Sequence, residues 1–125
     1  MVEVEVLQES RCDNGIVTLI LNRPARRNAL GVALVKSLRE AFARLAVDNT
    51  ARVIIVTGAG DKAFCAGADL KERRSMEQAS VATFVSGLRA MMDELASLPQ
   101  PTIAAIGATA LGGGAELALA CDLRV

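Results

Sequence analysis

Apolar and polar positions along this chain switch between two periods, and the switches mark the elements. Ile16-Val17-Thr18-Leu19-Ile20-Leu21 carries a single polar position, the pattern of a strand covered on both faces. Before it, residues 2–7 alternate acidic with apolar, mostly β-branched residues, and Asp13-Asn14-Gly15 is a turn signal, so residues 2–7 and 16–21 read as a hairpin. Leu34, Leu38, Ala41, Phe42 and Leu45 then recur at helical spacing with Lys36, Arg39, Glu40 and Arg44 between them, predicting an amphipathic helix over 31–47. Val53-Ile54-Ile55-Val56 is a short buried strand closed by Gly58-Ala59-Gly60. A second helix follows, with Val81, Phe84, Val85, Leu88, Met91, Met92 and Leu95 as its core stripe and Pro99 and Pro101 beyond its end. Residues 102–106 form the next strand, Gly112-Gly113-Gly114 precedes a helix beginning at 115, and residues 122–125 open one more strand.

Strands alternating with helices mean an α/β fold. Residues 16–47 and 53–98 repeat the order strand, loop, helix without repeating residues. The uncharged stretch 95–115 has the length of a membrane span, but two prolines and four glycines break it, and it reads as strand, tight loop and helix start. No membrane association is expected.

Composition removes whole classes of chemistry. In 125 residues there is no histidine, which excludes a Ser-His-Asp triad, an H-E-x-x-H zinc site and imidazole proton transfer. Proton transfer falls to carboxylates, Lys or Cys. Cys12, Cys65 and Cys121 form neither a C-x-x-C pair nor an even set, so no disulfide framework or zinc knuckle is expected, and a reducing compartment is the default. Residues 1–5 show no targeting segment. The 14 basic and 14 acidic residues cancel overall but not locally: residues 1–22 sum to −3, 23–52 to +5 and 53–125 to −2. The middle segment reads either as a surface facing an anion or as a solvated helix face.

Two loops concentrate small residues: Ala63-Phe64-Cys65-Ala66-Gly67-Ala68-Asp69-Leu70 and Ala110-Leu111-Gly112-Gly113-Gly114-Ala115-Glu116-Leu117. From neighbouring parallel strands both emerge at carboxyl ends, where α/β proteins place ligands. Small residues admit close backbone approach, and a helix start leaves N–H groups without intrahelical acceptors. If Ala68 and Gly113 aim their amides at one point, they form a two-donor oxyanion hole. Glu116, three residues beyond Gly113, is the leading acid/base candidate. The same features have plainer readings: a glycine triplet makes a tight turn, a first-turn Glu serves the helix dipole, and Asp69 caps the Lys71-Glu72-Arg73-Arg74 segment. Cys65 has no activating partner and reads as a small buried residue. Gly58-Ala59-Gly60 lacks the Lys-Ser/Thr of a P-loop.

Together these motifs are recognisable. Asn22-Arg23-Pro24 with Asn28-Ala29-Leu30, then Phe64 to Leu70, then Ala110 to Gly114 with Glu116-Leu117 and Cys121-Asp122, resemble the enoyl-CoA hydratase/isomerase (crotonase) family, in order over nearly the whole chain. The Leu70-Lys71-Glu72-Arg73 run and the residues from Ala118 to Val125 resemble its methylglutaconyl-CoA hydratase-like branch, including the enoyl-CoA hydratase domain-containing proteins of mitochondria. The resemblance implies a crotonase-like spiral of ββα turns, with residues 1–125 the N-terminal portion of one domain, truncated after the first turns. It implies an acyl-CoA thioester substrate, short or branched, and trimers or hexamers as the full-length assembly. No metal is implied, and no cofactor beyond the coenzyme A of the substrate. The compartment it implies is the mitochondrial matrix or the cytoplasm.

By the same resemblance, Ala68 and Gly113 supply the oxyanion amides, worth about 3–4 kcal/mol per donor, and Glu116 is the first of two catalytic glutamates. Ala66, Gly67, Ala68, Asp69 and Leu70, with Gly112 and Gly113, line the thioester and the adenine of CoA, and Arg26 and Arg27 lie near the CoA phosphates. The second glutamate of the family lies some twenty residues beyond the first, whereas nine residues follow Glu116 here. Gly107-Ala108 also replaces the family's Asn-Gly or Asp-Gly. Three readings follow: an enoyl-CoA hydratase-like lyase or an isomerase relative, whose own turnover is left open; a truncated, non-catalytic form that binds CoA or pairs with intact subunits; and weak RNA binding through the basic segment.

Overall fold

The computed structural model describes residues 5–125. Its apolar run becomes strand β2, Ile16–Leu21, in which Val17, Leu19 and Leu21 are fully enclosed. β2 pairs on one side with β1, Leu7–Arg11, antiparallel, and on the other with β3, Val53–Gly58, parallel. The sheet continues in parallel through β5, Thr102–Ala105, to β7, Leu123–Arg124, in the order β1-β2-β3-β5-β7.

The hairpin is present, but its first strand is not the one that residue pattern predicts. Residues 1–4 of the expected strand lie outside the described residues, and Glu5 and Val6 lie outside any strand. Pairing runs instead through the polar sequence LQESR, with Leu7 opposite Leu21 and Arg11 opposite Val17. The turn decides this. Gly15, at φ +88°, donates to Cys12 O, and Cys12 N–H donates to Ile16 O, so the ladder begins beside the turn. An edge strand needs only its backbone for that, and apart from Leu7, packed against the core, its side chains stay exposed.

Helix α1, Val32–Leu45, buries Leu34, Val35, Leu38, Ala41, Phe42 and Leu45 against the sheet. Each large side chain enclosed in this way stabilises the fold by about 1.5–3 kcal/mol. Helix α3, Gln78–Ala96, was expected to bury seven apolar positions. It buries Phe84, Met91 and Leu95 where it packs on α1 and on the helix Gly113–Ala120, while Val81, Leu88 and Met92 are half-buried and Val85 is exposed.

Both small-residue loops begin as strands of their own. β4, Ala63–Cys65, and β6, Thr109–Ala110, pair in parallel as a second, two-stranded sheet. The chain therefore runs long strand, short strand, helix twice over: β3, β4, then α2 (Leu70–Arg74) and α3; β5, β6, then α4 (Gly113–Ala120), before β7 rejoins the large sheet. This is a spiral of ββα turns, the α/β architecture expected. Asp122 closes the second turn by accepting from Thr102 N–H at 2.9 Å while its own N–H donates to Thr102 Oγ1 at 2.9 Å. Among the described residues no helix is long and apolar enough to cross a membrane.

Candidate active site

The parallel pairing of β4 with β6 delivers residues 66–69 and 111–114 side by side. The first segment is held from behind by the turn that follows β2. There Arg27 and Asn28 take left-handed conformations, φ 53° and 56°, tolerable at Asn28 because its side chain is fully used. Its Oδ1 accepts from Arg23 N–H at 2.9 Å, and its Nδ2 donates to Ala59 O at 3.0 Å and to Ala63 O at 2.9 Å. The turn then grips the loop: Ala66 N–H donates to Arg27 O, Leu30 N–H to Gly67 O and Asp69 N–H to Leu30 O. The last two form a parallel bridge between Leu30 and Ala68. In such a bridge Leu30 uses both its polar groups, and those of Ala68 face the opposite side.

That side is the start of α4. Gly67, at φ +94°, has no side chain to hold the segments apart: a Cβ there would lie 2.9 Å from Leu111 O and 3.1 Å from Gly113 N, and one on Gly113 would lie 3.7 Å from Ala68 N. Gly114 N–H turns back to Leu111 O and Glu116 N–H to Gly112 O. Gly113, at the first helical position, has no intrahelical acceptor. Among the described residues, neither Ala68 N–H nor Gly113 N–H donates to an internal acceptor. Two adjacent free amides are an anion- or oxyanion-binding arrangement.

Around this pair the predicted residues divide. Glu116 is exposed, one helical turn from Gly113, and its carboxylate has no partner among the described residues. Leu70 and Leu111, 60% and 58% exposed, are apolar residues on the two segments. Gly112 is exposed at φ +50°, and Ala66 is half-buried. Asp69, in contrast, is 3% exposed and its carboxylate is occupied: it accepts from Arg23 Nη2 at 2.9 Å, Arg26 Nη2 at 3.2 Å and Glu72 N–H at 3.1 Å, capping α2. Burial acts most strongly on it, against ionisation. The hydrogen bonds from Arg23 and Glu72 and the fields of Arg23 and Arg26 nevertheless hold its carboxyl below the usual carboxylate range. Cys65 is buried, and burial pushes its thiol up despite a hydrogen bond from Gly67 N–H.

The basic segment is largely neutralised. Arg23 and Arg26 pair with Asp69, Lys36 with Glu40, Arg39 with Glu94 and Arg44 with Glu9. Arg27 is exposed with no ion-pair partner among the described residues. A groove of about 780 Å³ lies elsewhere, between α1 and α3, lined by Val32, Val35, Met76, Thr83 and Phe84. Its charged residues are paired, Lys36 with Glu40 and Arg39 with Glu94, so the two unpaired amides are the stronger candidate. Arg23 and Glu72 were not singled out as site residues from sequence. Their partners lie 46 and 40 positions away, and no local pattern signals such pairing.

Comparison with known proteins shows the family and the fold. The profile of the family described as enoyl-CoA hydratase/isomerase matches residues 11–125. The chain is 51% identical over 123 residues to enoyl-CoA hydratase domain-containing protein 2, mitochondrial, of Bos taurus, covering 98% of this chain and 42% of that protein. It is 48% identical over 123 residues to methylglutaconyl-CoA hydratase, mitochondrial, of Homo sapiens, covering 98% and 36%. It superposes on the crystal structure of an enoyl-CoA hydratase from Bacillus anthracis with a TM-score of 0.92 at 45% identity, over 95% of this chain and 46% of that one. The chain thus spans less than half the length of these relatives.

Proposed function

The chain belongs to the enoyl-CoA hydratase/isomerase family, and from that premise we propose that it carries the thioester-binding half of a hydratase site for a short or branched α,β-unsaturated acyl-CoA. Ala68 and Gly113 N–H hold the thioester oxygen. As water gives up one proton to a base and its oxygen bonds to the β-carbon, the π electrons move onto the thioester oxygen as an enolate, and the α-carbon takes a proton when the enolate collapses. Glu116 is one of the groups that move those protons. The amides meet more charge in the transition state than in the ground state, so they accelerate the step rather than merely binding substrate. Leu70 and Leu111 flank the thioester with Ala66, Gly67 and Gly112. Arg27, free of internal pairing, faces the CoA phosphates, whereas Arg26 shares its charge with Asp69. The setting is a mitochondrial, oligomeric full-length enzyme.

The observation that carries this reading is the pair of adjacent amides with no internal acceptor. A second reading, a thioester-binding but inert form that pairs with further chain, draws on the exposed Leu119, Leu123 and Val125 around α4 and β7. The test follows the loss of enoyl-thioester absorbance with the purified chain and with Glu116→Gln, alongside calorimetric binding of crotonyl-CoA. Hydration lost in Glu116→Gln with binding kept supports the first reading. A folded, binding but inert wild type supports the second. A folded chain that binds no acyl-CoA refutes both.

A further inference from the structure

We propose that Arg23 is a positioning residue whose guanidinium sets the direction of the Ala68 amide; this rests on the reading of that amide as a thioester donor. The bridge between Leu30 and Ala68 is isolated, flanked by no continuous ladder, so nothing in its own two hydrogen bonds stops it from twisting. Arg23 supplies the missing constraint. One guanidinium nitrogen, Nη1, donates to Ala29 O at 2.5 Å, and the other, Nη2, donates to Asp69 Oδ2 at 2.9 Å. Ala29 precedes Leu30 and Asp69 follows Ala68 in a parallel bridge, so a single rigid fork ties its two segments together diagonally, across both ends.

Space for that fork is built in. A Cβ on Gly31 would lie 2.8 Å from Arg23 Nη1 and 2.5 Å from Glu72 Oε2. Arg23 is itself fixed at its backbone, where its N–H donates to Asn28 Oδ1. Asp69 is buried and its carboxylate is consumed internally, so the pair serves the loop and not the solvent. A planar fork spans two acceptors at fixed separation, whereas a lysine ammonium is a point charge on a flexible stem and reaches one of them at a time.

The test reads the amide rather than the fold. Wild type, Arg23→Lys and Asp69→Asn are compared by infrared spectroscopy of bound crotonyl-CoA labelled with ¹³C at the thioester carbonyl, with unfolding midpoints measured in parallel. Wild type is expected to move the carbonyl band to lower frequency than in free crotonyl-CoA. Arg23→Lys, folded and still binding, is expected to lose most of that shift. Asp69→Asn, which removes the charge holding the fork, is read in the same way and decides the matter if Arg23→Lys does not fold. A full wild-type shift in a folded variant overturns the proposal while leaving the amide reading intact. A wild type that binds no crotonyl-CoA or leaves its band unmoved overturns the amide reading and this proposal with it. If both variants unfold, the pair holds the fold and not the amide, and the proposal fails.

Discussion

Replacing Gly114 by alanine is the sharpest test of how α4 is seated. A Cβ at Gly114 would stand 2.0 Å from Cys65 O, 2.7 Å from Cys65 C and 2.9 Å from Cys65 Cβ. Ordinary carbon contacts need about 3.5–4.0 Å. The obstacle is the backbone of β4, which cannot rotate away, so α4 must withdraw by more than an ångström. Against this stands the intrinsic gain of alanine over glycine within a helix, about 1 kcal/mol. Overpacking a well-filled core costs about 1–3 kcal/mol, and immovable backbone puts this site at the upper end. The net expectation is a loss of about 2 kcal/mol, lowering Tm by about 8 °C for a domain of this size. Gly87, inside α3, is the control, since nothing lies within 4 Å of a Cβ there. Gly87→Ala should stabilise by about 0.5–1 kcal/mol. Urea unfolding with calorimetry checks both. The displacement carries Gly113 with it, so Gly114→Ala should also weaken binding of acyl-CoA. A Gly114→Ala protein as stable as wild type, or a destabilised Gly87→Ala, refutes the steric reasoning.

Asn28→Ala removes an acceptor from Arg23 N–H and donors from two carbonyls, and leaves alanine in a left-handed conformation. Three hydrogen bonds near 1 kcal/mol each plus a backbone penalty of about 1–2 kcal/mol predict a loss of about 4–5 kcal/mol by urea unfolding; a loss under about 1 kcal/mol would be inconsistent with the network. The folded pKa of Asp69 is depressed, so its contribution to stability is complete above the unfolded value and is lost as pH falls through the folded one. The stability gap between wild type and Asp69→Asn should stay flat at pH 5–7 and narrow below about pH 4 in acid-unfolding curves. Cys121 is pushed up to about 11, chiefly by burial, and the Cys65 thiol is also raised by burial, while Cys12 is exposed. Iodoacetamide at pH 8 should label Cys12 alone by mass spectrometry, with Cys65 and Cys121 reacting only after unfolding. Glu116→Gln touches no internal bond and should change stability by less than about 0.5 kcal/mol in the same unfolding assay.

The parts of this fold legible in residue order are those whose signal is local. Ile16–Leu21 and Val53–Gly58 announce themselves as near-continuous apolar runs, and the α1 stripe by its 3.6-residue period. The proposal that Ala68 and Gly113 act together comes from motifs kept in order along the chain and not from any period. β1 was misplaced because its register is set by the Gly15 turn and not by its own side chains. β4 and β6, of three and two residues, are too short to carry a period.

Residue order by itself determined the α/β class, the main elements and that these 125 residues offer no imidazole. Tertiary structure alone decided which way the Ala68 amide points, that Asp69 is spent on Arg23, Arg26 and the cap of α2, and that most of the basic segment is paired. The reason is range. A periodic pattern reports what each residue needs from a surface, whereas the direction of a single N–H and the occupancy of a carboxylate depend on partners some forty positions away, fixed only when the spiral closes.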